Sequence, residues 1–384
     1  MSKPPVSQSI VLRSVRRTVP PVATLVAVSV LALVALTGCA PASTTGAPPS
    51  PTASPSAKPV ARLTTTGGVT CDDLASLTVV QSALGSTAVV AIPDSTNLYQ
   101  MNPDLLLLAT PLAGGIDCLW QSPTLDYAAS IEVLPNATDA LSAAQTQLAS
   151  TDDSASQPGI PKYGQQSWTH CDPTTDQNIC QFDVAVGGYW VEIVVTNAVQ
   201  RLDYPESSGE QAFINQVVEA VGALPKAPVT WHPPVESYTA PASCDAVISD
   251  AVAQNDLGTS LTAVPPSEFV VSPLELAARS AAGTTACWWS DSSGATTVEY
   301  VFMPGADAVW SSAGPTDISS AGFTTLTGVG SAGWQQCQVP GGANECTAFV
   351  LDGHSWIELD YGSGVPLGSA AFDTFVKDVV ASLH

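Results

Sequence analysis

The sequence predicts an α+β protein made of two tandem repeats, each an antiparallel sheet covered by helices and held by two disulfides. Three observations carry this expectation. Eight cysteines fall into two sets of four with nearly equal spacing, landmark residues recur at offsets of 159 to 169, and each half runs helix, strands, helix, strands, helix. Segregated runs of this kind, without strict strand–helix alternation, mark an α+β unit.

The cysteine sets are Cys71, Cys118, Cys171 and Cys180, then Cys244, Cys287, Cys337 and Cys346, with gaps of 47, 53 and 9 in the first and 43, 50 and 9 in the second. A shift of 166 carries Gly164, Trp168, Cys171, Cys180, Gly187, Trp190 and Glu192 onto Gly330, Trp334, Cys337, Cys346, Gly353, Trp356 and Glu358 without a gap. A shift of 169 carries Cys118-Leu119-Trp120 onto Cys287-Trp288-Trp289, and Pro135 onto Pro304. A shift of 159 pairs Phe213, Val217, Val221 and Leu224 with Phe372, Val376, Val380 and Leu383. The repeats are therefore assigned to 70–226 and 242–384, with a Pro-rich linker at 227–241.

Within each repeat, Thr70 and Asp73 bracket a capping-box helix start, Leu74, Leu77, Val80 and Leu84 form one helical face, and Gly85 stops the helix. Ser243 opens the matching helix of the second repeat. Ala129, Ile131 and Val133 alternate with Ser130 and Glu132 as a strand, and Val298, Tyr300 and Phe302 take the equivalent places. Thr138 is placed to cap a middle helix carrying Leu141 and Leu148. A Cys-to-Cys hairpin, a strand from Tyr189 to Thr196 and a helix from about Glu210 to Leu224 complete the unit.

Ahead of the repeats, Lys3, Arg13, Arg16 and Arg17 precede an apolar run from Val22 to Leu36, and no acidic residue occurs before Asp72. This is the order of a secretory signal, with an apolar segment too short for a typical membrane span. It ends in Leu36-Thr37-Gly38-Cys39, which resembles the lipobox of bacterial lipoproteins. That resemblance implies removal of residues 1–38 and a diacylglyceryl thioether on Cys39, with palmitate-type chains holding the protein to the outer face of the cytoplasmic membrane. The alternative is an ordinary secreted protein cut after a nearby Ala, with Cys39 free. Residues 39–69, almost entirely Ala, Pro, Ser, Thr and Gly after the cysteine, can bury no core and form an extended tether.

The whole chain carries 34 Asp+Glu against 11 Lys+Arg, for a net charge of −23. So acidic a protein cannot hold a phosphate backbone, which excludes nucleic acid as a partner. With 45% apolar and 12% charged residues, most of it is nevertheless folded.

A secreted location favours disulfides over metal for the paired cysteines. Zinc pairs are spaced more tightly, and His170, beside Cys171, has Gln336 as its counterpart. Four cysteines allow three connectivities per repeat. The short separation favours Cys171–Cys180 and Cys337–Cys346 as hairpin staples, leaving Cys71–Cys118 and Cys244–Cys287.

Candidate catalytic residues are few. His170, His232, His354 and His384 have no common repeat position, since His354 aligns with Gly188, and no nucleophile-elbow, zincin or phosphate-loop motif is present. No enzyme activity, cofactor or metal is expected. Asp172, Asp176 and Asn178 have the residue types of calcium ligands but become Gln338, Gly342 and Asn344 in the second hairpin, and their spacing fits no calcium loop. The shared candidate ligand face is the Trp-x-Glu pair, Trp190 with Glu192 and Trp356 with Glu358, which alternation places together on one side of its strand. An aromatic plate beside a carboxylate suits a sugar or a cation. The structural alternative buries each Trp under a helix and sends each Glu to solvent at a sheet edge.

The Cys71-Asp72 helix start, the Cys118-x-Trp120 strand and the lipobox together resemble a family of actinobacterial lipoproteins of unknown function. More distantly, a unit with two disulfides on a helix-covered sheet is similar to the extracellular sensor domain of mycobacterial receptor Ser/Thr kinases. The resemblance implies an envelope location and a ligand cleft, and transfers no catalytic residue. The expected function is a lipid-anchored extracytoplasmic binding or sensing protein, with an envelope small molecule, glycan or protein as partner. A structural or partner-docking envelope protein is the alternative, and a cell-wall hydrolase a further one.

Overall fold

Alternating strand residues close each repeat into a seven-stranded antiparallel sheet in a computed structural model. It describes residues 69–384 except 93–104, 123–126, 151–155, 158–162, 164–165, 174–177, 198–206, 226–240, 242, 265–271, 308–317, 320–321, 339–343, 364–366 and 384. The leader, Cys39, the tether and most of the Pro-rich linker lie outside these residues.

The first repeat opens with helices α1 (Cys71–Leu74) and α2 (Leu77–Leu84). Strands β1 (Val90–Ile92), β2 (Ile116–Gln121), β3 (Ala128–Pro135), β4 (Ser156–Gln157), β5 (Gln166–Pro173), β6 (Asn178–Val186) and β7 (Tyr189–Asn197) form its sheet in the order β1-β2-β3-β7-β6-β5-β4. A 3₁₀ turn at Leu105–Leu108 leads into α3 (Ala109–Leu112), and α4 (Thr138–Ser150) and α5 (Ser208–Gly222) complete the repeat.

The second repeat contributes α6 (Asp250–Val252), β8 (Thr262–Val264), α7 (Pro273–Ala282), β9 (Thr285–Ser290), β10 (Thr296–Met303), β11 (Thr324–Thr325), β12 (Ala332–Gln338), β13 (Asn344–Asp352), β14 (Ser355–Ser363) and α8 (Ser369–Ala381). Its sheet order, β8-β9-β10-β14-β13-β12-β11, matches the first strand for strand. The topology thus repeats along with the sequence.

Local chemistry accounts for most element ends. The Asp73 carboxylate accepts the Thr70 amide at 2.8 Å and hydroxyl at 2.7 Å, and Gly85 closes α2 in the left-handed conformation at φ 65°. The expected single first helix is in fact two. Ala75 is extended (φ −148°, ψ 126°), so the helical phase restarts at Ser76 and Leu77 turns outward to 40% exposure.

The matching segment, expected as a helix, is a 3₁₀ turn at Cys244–Ala246 followed by α6 and a π turn at Ala253–Leu257. Thr138 is the first residue of α4 and not its cap, because the Ala137 carbonyl accepts the first helical amide, that of Leu141. Leu141 is buried, while the Leu148 side chain lies outside the described residues.

Disulfides join Cys71 to Cys118, Cys244 to Cys287 and Cys337 to Cys346. Cys180 is also disulfide-bonded, and Cys171 faces it directly in register.

The core has three parts. On one face of the first sheet, Ile131, Val133, Val191 and Ile193 pack against Val80, Leu84, Phe213 and Val217 of α2 and α5. The second sheet does the same with Tyr300, Ile357 and Leu359 against Phe372 and Val376 of α8. The remaining faces share a third cluster, in which Leu105, Leu108, Leu112, Leu134 and Trp190 meet Leu274, Ala278, Val301, Met303 and Trp356. Each large side chain buried there contributes about 1.5–3 kcal/mol. That seam makes the described residues of both repeats part of one compact unit.

Candidate functional site

Strand register places a row of acids in the seam. Asp117 lies opposite Glu132, Glu132 opposite Glu192, and Asp183 opposite Glu192, on the adjacent strands β2, β3, β7 and β6. Alternation turns their neighbours Cys118, Ile131, Ile193 and Phe182 to the outer core, so the carboxyls share the seam face with Leu134, Ala185 and Trp190. Directly opposed residues stand with Cβ atoms about 4.5–5.5 Å apart, where like charges destabilise a sheet. The second repeat carries Ala286, Val301, Glu358 and Phe349 at the corresponding positions, so it retains only one of these acids.

Polar partners reach the row from every side. The Thr110 hydroxyl of α3 donates to the Glu132 carboxyl. Gly115 permits that approach, because a Cβ there would stand 2.3 Å from the Val133 carbonyl and 2.7 Å from the Thr110 methyl. Gln181 donates to Glu192 at 2.8 Å and to Asp183 at 3.0 Å, and the buried Trp190 indole donates to Asp183 at 2.7 Å.

From the second repeat, α7 brings Ser272, Glu275 and Arg279. The Ser272 hydroxyl accepts the Glu275 amide at 3.0 Å as helix cap and faces Glu192, where it favours the ionised carboxyl. Arg279 pairs with Glu275 and lies 5.6 Å from the centre of the Trp288 ring. It acts electrostatically on Glu132, and its Nε has no hydrogen-bond partner among the described residues.

The electrostatics follow from this enclosure. Burial is the main cause that pushes Asp117 up to about 7 and Glu132 up to about 8, the latter helped by Asp117. Burial likewise raises Asp183 to about 7, against the opposing bonds from Trp190 and Gln181. Glu192 is raised well above the usual carboxylate range by burial, then by Asp183 and Glu132. The row therefore shares protons as a group near neutral pH.

Both Trp-x-Glu pairs lie in the seam. Trp190 and Trp356 are buried, and Trp356 stacks on Trp334 with centroids 5.7 Å apart. The glutamates do not reach solvent at a sheet edge: β7 and β14 are the middle strands, and Glu192 and Glu358 are only 6% and 3% exposed. Instead, each meets the start of a helical segment from the other repeat. Glu192 faces Ser272, and Glu358 accepts the Leu105 amide at 2.7 Å.

No family model, curated protein or solved structure matches this chain.

The remaining candidates are not drawn together. His354 pairs with Asp307 at 2.7 Å in the second repeat. The side chains of His170, Asp172 and Asn178 lie outside the described residues, as do Asp176, His232 and His384 altogether. Among the described residues, no group of His, Cys, Asp and Glu is arranged to hold a metal, and no helix is long and apolar enough to cross a membrane.

Sequence reasoning missed Asp117, Asp183, Thr110, Glu275 and Arg279, and read Glu132 as a plain alternating strand position. The available signal was that Asp117, Glu132, Asp183 and Glu192 all occupy the strand phase opposite the apolar residues.

Proposed function

We propose that this chain is a lipid-anchored, extracytoplasmic binding or sensing protein of the cell envelope, and that it takes a cationic, ammonium-bearing ligand at the seam between its repeats. The anchor is the diacylglyceryl group expected on Cys39. Its acyl chains add about 0.8 kcal/mol per buried methylene, while the acidic body stands off an anionic membrane surface.

One observation carries the ligand class. Asp117 and Glu132, at one end of the row, keep part of their surface open to solvent although the row behind them is buried. Glu275 acts on both from the other repeat, Glu192 and Asp183 continue the row behind them, and Arg279 is the one base acting on Glu132 among the described residues. A ligand ammonium would replace the shared protons and pair with the carboxylates thus formed. Acid–base catalysis by a carboxyl pair needs environments that push the two pKa values apart. Here the whole row moves upward, which favours binding over hydrolysis. The exposed apolar residues Leu77, Val90 and Leu276 are single positions on separate elements and do not favour a docking surface.

The test is a thermal-shift series on the oxidised protein with glucosamine, N-acetylglucosamine and spermidine. Glucosamine and spermidine should raise the melting temperature, N-acetylglucosamine should not, and Glu132→Gln should remove the response. Equal responses to the charged and acetylated sugars, or none to any amine, would exclude a cationic ligand. Mass spectrometry of the native amino terminus tests the anchor separately: an unmodified Cys39 would exclude it.

A further inference from the structure

The repeats meet through a face that is apolar nearly everywhere except along the carboxyl row. Leu134, Ala185 and Trp190 flank the row in the first sheet, and Leu274, Ala278 and Ala282 of α7 belong to the same cluster. Those contacts do not depend on pH; the row does.

Polar and charged groups face it from several elements. Strands β2, β3, β7 and β6 supply Asp117, Glu132, Glu192 and Asp183 with Gln181; α3 supplies Thr110; and α7 supplies Ser272, Glu275 and Arg279. The only charged residue of α4 is Asp139, which is exposed. Trp288 of β9 lies against Arg279, and Glu358 of β14 is tied to the Leu105 amide. Arg279 is the single base in this set, and Glu275 already pairs with it.

We propose that this seam is a proton-operated latch: with Asp117, Glu132, Glu192 and Asp183 protonated the repeats stay closed, and with them ionised the seam parts while each outer core stays folded. Closed, the repeats are joined by the Leu105–Glu358 bond, by the approach of Ser272 to Glu192 and by the apolar contacts around them. Ionised, adjacent carboxylates repel across a single sheet in a medium that screens them poorly. The Ser272 hydroxyl favours the ionised form of Glu192, but burial and two neighbouring carboxyls outweigh it. The row holds its protons up to about 7 to 8, so the latch releases as pH rises past neutrality. The two outer clusters are built of apolar side chains, and the buried Glu210 beside the first is held by the Ser207 amide at 2.7 Å; disulfides join Cys71 to Cys118, Cys244 to Cys287 and Cys337 to Cys346. This property belongs to the seam itself and requires no ligand.

Hydrogen exchange by mass spectrometry on the intact oxidised protein, at about pH 6 and about pH 9, tests the latch. After correction for intrinsic exchange, residues 105–112 and 273–282 should exchange at least about tenfold faster at the higher pH. Residues 77–84, 208–222 and 369–381, which pack the outer cores, should not change. Asp117→Asn with Glu132→Gln should abolish the response, and Glu132→Gln alone should reduce it if the double variant does not fold. Seam protection that is unchanged between the two pH values overturns the proposal. So does loss of protection in the outer cores at the same point, or an unaltered pH response in a folded variant.

Discussion

Leu105 of the first repeat donates its backbone amide to Glu358 of the second at 2.7 Å, across 253 positions of chain. Glu192, the repeat counterpart of Glu358, faces Ser272 at the start of α7. The exchange is reciprocal: each repeat offers a glutamate from its middle strand and receives one at the start of a helical segment. A feature that the duplication carries twice thus serves as a contact between its copies.

Removing one side of this exchange should be costly. Glu358→Ala leaves the Leu105 amide without its acceptor inside the seam, and an unsatisfied buried donor costs about 1–3 kcal/mol. Urea unfolding of the oxidised protein should show a lower midpoint, and Glu358→Gln, whose side-chain carbonyl can still accept, should recover most of the loss. Equal midpoints for wild type and Glu358→Ala would remove the bond from any role in holding the repeats together.

The carboxyl row makes stability depend on pH in a defined direction. Its folded pKa values lie above those of free carboxyls, at about 7 for Asp117, about 8 for Glu132 and about 7 for Asp183. Between the unfolded value near 4 and these folded values, the native state binds more protons than the unfolded one. The row's contribution is therefore complete below about pH 4 and is lost as pH rises through 7 to 8. The melting temperature should be at least about 3 °C lower at pH 9 than at pH 6, and Glu132→Gln should flatten that slope. A melting temperature that rises across this interval would contradict the enclosure of the row.

The disulfides should differ in worth according to loop length. Cys71–Cys118 closes 47 residues and Cys337–Cys346 closes 9. On the loop-entropy account, replacing the first pair by serines should cost about 1.5 kcal/mol more than replacing the second. Denaturant midpoints of the two double variants measure the difference. A larger loss from the short hairpin would show that native-state contacts, and not loop closure, govern these bonds.

Much of the architecture was legible because it depends on residues close in sequence. Gly85 ends its helix by adopting a conformation that other residues avoid, and Thr70 with Asp73 begins one by bonds three positions apart. The cysteine spacing announced both the duplication and the pairing of Cys71 with Cys118, Cys244 with Cys287 and Cys337 with Cys346. Alternation likewise placed Trp190 and Glu192 on one face. The break at Ala75 was not legible, since nothing local to an alanine calls for an extended backbone there.

The candidate site belongs to a different order of information. An alternating strand says that Glu132 and Glu192 point away from Ile131 and Ile193, but not what covers the face they occupy. In one sheet with one open face, those acids would be ordinary solvated residues. The pairing of β3 with β7 brings Glu132 opposite Glu192, and the arrival of α7 from the other repeat takes the row out of water. By itself the sequence determined the repeat, its elements and its cysteine pairs, because turn chemistry, side-chain period and spacing act over a few residues or recur at nearly the same offset. The tertiary structure alone decided which polar face would be buried, because desolvation depends on what packs there, and here that is a helix from the other half of the chain.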